Sequence, residues 1–195
     1  MSRVARCTLQ VLALIVPSGL AAQDRTDEPT RVEGSLEASL AASTLAGTAS
    51  PLWGLGVGIW MGDRLFLGGR GAGLPTALEL DRPGRDPERL DFGYGGLQVR
   101  VRTWTTPTLD IDVGLLVGAG RARLRDALVG IEQGADNLVV SEPALRLRRS
   151  LWEDRLHGGV ALAYRMVWGV EDLAGLSADD LHGPSLSVSL SVERR

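Results

Sequence analysis

Hydrophobic and polar positions alternate one by one through most of this chain. The clearest case is Ser185–Val192, where Leu186, Val188, Leu190 and Val192 share one face and four serines share the other. Strict period-2 alternation marks a strand with unlike environments on its two sides. Seven further segments repeat the pattern. Ser35–Leu45 sets Leu36, Ala38, Leu40 and Ala42 against Glu37, Ser39, Ala41 and Ser43. In Leu52–Met61, Trp53, Leu55, Val57, Ile59 and Met61 alternate with glycines, and Leu65–Leu74 is itself glycine-rich. Leu90–Thr103 places Leu97, Val99 and Val101 opposite Gln98, Arg100 and Arg102. Leu109–Ala119 places Ile111, Val113, Leu115 and Val117 opposite Asp110, Asp112 and glycines. Leu138–Leu151 sets Leu145 and Leu147 against Glu142, Arg146 and Arg148, and Leu156–Trp168 sets Val160, Leu162, Tyr164 and Met166 against His157, Ala161, Ala163 and Arg165.

Eight strands of this length predict an all-β fold: a single eight-stranded, antiparallel, up-and-down β-barrel. The connections support the alternating direction. Gly62-Asp63, Thr105–Thr108 and Trp152–Asp154 are short turns, whereas Pro75–Arg89, Arg121–Asn137 and Glu171–Gly183 read as long loops. Short turns at one rim and longer loops at the other are what transmembrane barrels show.

The face opposite the aliphatic residues decides between a membrane barrel and a soluble one. It is mostly Gly, Ala and Ser with a few charges, which suits a narrow interior better than a water-facing exterior. The aliphatic face therefore points to lipid. All five tryptophans fall near strand ends, as an interfacial aromatic belt requires, although Trp60 and Trp104 have the parity of the inner face. A soluble, lipocalin-like periplasmic barrel holding a small apolar ligand is the alternative architecture.

The first residues assign a compartment. Arg3 and Arg6 precede the apolar run Val11–Val16 and the small residues Leu20-Ala21-Ala22, the pattern of a secretory signal peptide over 1–22. The apolar run is far shorter than the ~20 residues of a spanning helix. Residues 23–34 read as a polar lead-in and 35–195 as the barrel domain. Cleavage after Ala22 removes the single cysteine, Cys7, and two of the 21 basic residues, leaving 19 against 24 acids. A net charge of −5 argues against a nucleic-acid partner.

At the level of architecture the chain resembles the small eight-stranded outer-membrane barrels of the OmpA/OmpX type over roughly Gly34–Val192. That resemblance implies a bacterial outer-membrane location, contact with outer-membrane lipid and lipopolysaccharide, insertion by the barrel-assembly machinery, and a possible extracellular ligand at the long loops. Such barrels commonly end in an aromatic residue; this sequence ends Val192-Glu193-Arg194-Arg195 instead.

The candidate site is a cluster of inner-face charges: Glu37, Arg100, Arg102, Asp110, Asp112, Glu142, Arg146, Arg148 and Arg165. Charges inside a narrow lumen must pair, because an uncompensated buried charge costs several kcal/mol. Adjacency predicts that Arg100 and Arg102 face Asp110 and Asp112, with Arg146 and Arg148 in reach. The expected result is a filled, non-enzymatic barrel serving envelope structure or loop-mediated binding. A narrow ion path is the functional alternative for the same charges. His182, with Ser177, Asp179, Asp180 and Ser185 nearby, is the one set from which a lipid-modifying enzyme could be built, but no Gly-x-Ser-x-Gly elbow accompanies it. Gly68–Gly73 matches no phosphate loop, and two histidines without a retained cysteine give no basis for a metal or cofactor.

Overall fold

The computed structural model describes residues 32–82, 86–152, 155–171, 173 and 175–194. The leader and most of the lead-in lie outside the described residues. Nine strands and one short helix follow in order: β1 (Val32–Leu45), β2 (Thr48–Met61), β3 (Leu65–Gly73), β4 (Leu78–Leu80), β5 (Glu88–Thr105), β6 (Asp110–Asp126), β7 (Glu132–Trp152), β8 (Leu156–Trp168), α1 (Ala178–Leu181) and β9 (Gly183–Arg194).

All pairings are antiparallel, and the strand order is β3-β2-β1-β9-β8-β7-β6-β5-β4. A further pairing of β3 with β5 closes eight of the strands into a ring, and β4 remains outside it as a short flap on the loop-side start of β5. Closure leaves the eight ring strands without a free edge, so their backbone is satisfied within the sheet. The first and last strands meet directly, with Leu36 opposite Val192 and Leu40 opposite Val188.

The faces sort as the alternation predicts. Leu36, Leu55 and Leu97 point outward, the last two 69% and 71% exposed, while Glu37, Gln98 and Arg100 point inward and are buried. In β9 Leu186, Val188 and Leu190 lie outside, and Ser185, Ser187 and Ser191 lie inside. An aliphatic exterior around a charged interior is the arrangement of a transmembrane barrel; a soluble lipocalin-like barrel needs the reverse.

Three features differ from the expectation. Arg121–Asn137 is not a loop: β6 runs on to Asp126 and β7 starts at Glu132, so only a five-residue tip joins them. Inward alternation continues there through Ala122, Leu124, Asp136 and Leu138, all buried, and keeps the two strands paired beyond the lipid-facing band. Second, Pro75–Arg89 contains β4 and the start of β5, and the β8–β9 connection contains α1. Third, Trp104 faces outward despite its inner parity. The β5–β6 register slips between Arg102 and Trp104, so Thr103 is an extra residue that turns the indole to the lipid side, 53% exposed. Trp152 is turned out the same way by a slip after Ser150, whereas Trp60, with no bulge before it, is buried in the lumen.

The glycines of β2 and β3 have a packing reason. A Cβ on Gly58 or Gly68 would sit 2.5 or 2.8 Å from the Phe66 ring, so that ring occupies space only glycine leaves open. The β1–β2 connection shrinks to Ala46-Gly47, both with positive φ (48° and 75°), the geometry of a two-residue hairpin turn.

Candidate functional site

The inward residues of the turn-side half converge from strands far apart in sequence. Glu37 on β1 is central. Its Oε2 accepts a 2.9 Å hydrogen bond from Arg100 Nη1 on β5, and it also pairs with Arg146 on β7. One carboxylate therefore ties three strands together across the lumen. Glu142 on β7 pairs with Arg70 on β3 at 2.9 Å and takes a hydrogen bond from the Tyr94 hydroxyl; Arg70 also donates to Ser39 Oγ at 3.3 Å.

Nearer the turn rim a second group forms. Arg148 Nη2 lies 3.0 Å from Asp110 Oδ2, and its Nη1 pairs with Glu193. Glu193 also accepts from Trp60 Nε1 at 2.8 Å, and its Oε2 is 3.2 Å from His157 Nε2. Arg102 Nε sits 3.5 Å from Asp110 and 3.7 Å from the fully buried Asp112. The guanidinium planes stack on the lumen aromatics: Arg100 is 3.6 Å from the Phe66 centroid, Arg102 is 4.5 Å and Arg148 4.8 Å from that of Trp60. Such stacking desolvates the cations against ring faces that attract them. A polar vestibule of about 240 Å³, lined in part by Trp60, Arg102, Asp110, Arg148, His157 and Glu193, opens at this end.

Arg165 is different. It is completely buried, and among the described residues it has no ion pair. It donates to the carbonyls of Leu181 (2.9 Å) and Thr44 (2.9 Å) and to Ser43 Oγ (3.2 Å), beneath Phe92 at 5.0 Å. Those bonds fasten the β8–β9 connection over the loop end of the barrel. Further ties are Ala46 N to Asp180 O (2.7 Å), Arg82 to Gly175 O (2.7 Å), and Asp136 Oδ2 receiving the amides of Glu171 (2.9 Å) and Leu173 (3.2 Å). Beneath this cover, Leu45, Leu52, Leu90, Phe92, Leu124, Leu138, Val140, Val167 and Leu181 form an apolar core inside the barrel.

The nine sequence-picked charges all point into the lumen, but their partners differ in part. Arg100 reaches Glu37 across the barrel rather than the aspartates beside it. Arg102 alone faces both Asp110 and Asp112. Arg165 stands apart from the network. Sequence reasoning missed Arg70, hidden in a glycine run, and Glu193, one residue past the predicted last strand; period-2 counting from Phe66 and from Ser191 finds both. It also missed the apolar core: Leu124 was read into a loop, and Leu90, Phe92 and Leu138, though placed in strands, were assigned to neither face. The set around His182 does not assemble. Its Nε2 lies 2.6 Å from the Val167 carbonyl, which can only accept, and Nδ1 is 3.6 Å from Asp179. Ser177 is engaged with Asp180 at 2.9 Å, and Ser185 is buried on the inner face of β9. Among the described residues, no group of three or more His, Cys, Asp or Glu is placed to hold a metal.

Comparison with known proteins places the architecture. Neisserial surface protein A superposes with a TM-score of 0.58 at 10% identity, covering 83% of this chain and 96% of that one. Ail, the attachment invasion locus protein of Yersinia pestis, gives 0.53 at 9% identity, over 85% and 99%. Ail in complex with the heparin analogue sucrose octasulfate gives 0.52 at 10% identity, over 84% and 97%. This chain has the fold of the small outer-membrane β-barrels. At such identities the likeness is one of fold. No family model matches the chain, and no curated protein matches it in sequence.

Proposed function

We propose that the protein is a non-enzymatic barrel of the bacterial outer membrane, exported by its leader, cleaved after Ala22 and inserted by the barrel-assembly machinery. In this reading it reinforces the envelope and presents its loop end for binding. The observation that carries it is the division between faces: aliphatic side chains cover the exterior, and both halves of the lumen are filled with side chains. A filled lumen leaves the rim as the place where a partner can act. The β6–β7 hairpin supports this, because its tip carries Leu128, Val129 and Ile131 at 77%, 68% and 64% exposure, clear of the lipid-facing band. Ail, a barrel of the same fold, is known with a heparin analogue bound; a ligand met at the loop end is the corresponding role here.

Three measurements test the reading. Detergent-extracted protein should migrate differently on gels before and after boiling, and osmotic shock should not release it. In planar bilayers it should give no steady conductance. Release without detergent would sink the membrane assignment, and open-channel currents would sink the filled lumen.

A further inference from the structure

The outward face of β6 changes character at one point. From the turn end it runs Ile111, Val113, Leu115, Val117 and Ala119, and then Arg121, Arg123 and Arg125. The apolar part spans about nine residues, the length a tilted strand needs to cross the hydrocarbon. Arg121 thus follows one outward step, roughly 7 Å along the strand, beyond the last apolar position. Arg125 is 3.6 Å from Asp91 on β5. Arg121 and Arg123 make no hydrogen bond or ion pair among the described residues. Their cross-strand neighbours are small or uncharged, Gly93 and Asn137 beside Arg121 and Ala135 beside Arg123, apart from Asp91, which is turned to Arg125. In a chain with more acids than bases, two unpaired cations stand side by side at the edge of the lipid band.

We infer that Arg121 and Arg123 form a binding site for the phosphates of lipid A in the outer leaflet. A guanidinium presents a planar fork of donors that matches phosphate oxygens two at a time, and desolvation at a hydrocarbon edge strengthens that bond. The acyl chains would lie on the wall directly below, against Leu97, Val117 and Val139, all exposed on the same outer face. Gly93 and Gly95 on β5 leave room for the headgroup to approach the backbone. The inference rests on the outer-membrane reading and on the loop end facing outward.

The test uses full-length protein in nanodiscs of phosphatidylcholine, titrated with purified lipid A. Wild type should bind, and R121A/R123A should bind about tenfold more weakly. R149A, an exposed arginine on the outer face at the opposite rim, should match wild type, and R121K/R123K should recover part of the loss, which separates a phosphate contact from misfolding. Equal binding by wild type and R121A/R123A overturns the inference. Equal competition by phosphatidylglycerol overturns lipid A as the ligand. Failure of the wild type to enter nanodiscs overturns the membrane reading itself, a result distinct from either.

Discussion

The turn-side and loop-side halves of the lumen solve the same filling problem with opposite chemistry. On the turn side, long charged chains from six strands cross the barrel, and each cation meets a carboxylate or an aromatic face. On the loop side, leucines, valines and Phe92 pack under the β8–β9 connection. The charged half is tied across the barrel, since Glu37 alone joins β1, β5 and β7. The apolar half is sealed from above, and its one buried cation, Arg165, bridges the cover to β1, donating to the Leu181 carbonyl and to Thr44 O and Ser43 Oγ. Buried ions confer specificity of pairing at a desolvation cost; apolar packing confers stability with less specificity. The ions lie toward the end where β1 begins and β9 ends, and the apolar core lies at the end that is closed by a loop.

The largest effect should come from the charged half. Glu37→Gln leaves Arg100 and Arg146 without their shared carboxylate and should destabilise the fold by about 3–5 kcal/mol, read as a lowered midpoint in urea with the protein in micelles. An unchanged midpoint would show that the half is held by shape and not by charge. Leu90→Ala, in the apolar half, should cost about 2–5 kcal/mol and should also speed proteolysis within the β8–β9 connection, which Glu37→Gln should not do. If both variants loosen that connection equally, the two halves are one cooperative unit. On the outer wall, Val188→Arg should cost about 2–4 kcal/mol near the bilayer midplane, whereas Ser189→Ala on the adjoining inner position should be nearly silent in the same assay.

Much of this was legible from parity alone. Leu186–Val192, Leu36–Ala42 and Val160–Trp168 each declare two faces, and the small or charged residues opposite them declare which is inside. The partners were not legible, because register between distant strands is not written in local alternation: nothing near Arg100 points to Glu37. The extent of β6 and β7 was hidden for a different reason. Beyond the lipid band the outward face turns polar, as at Arg121 and Asn137, and the apolar signal passes to the inward face, so a reader following the outer leucines sees a loop. Arg70 disappeared in a glycine run, of which Gly68 makes room for Phe66.

The slips before Trp104 and Trp152 bear on how such a chain can change length. Thr103 works like a frameshift confined to the rim. Everything on its loop side keeps its inward or outward sense, and only the residues toward the turn exchange places. Deleting Thr103 would remove the bulge and set Trp104 next after Arg102, still facing lipid, while leaving Arg102, Arg100 and Tyr94 where they are. The same deletion a few positions deeper, between Leu97 and Arg100, would send the arginines to one wrong face or the valines to the other. The bulges therefore mark the border between a rim whose length is free to drift and a wall whose count of residues is fixed.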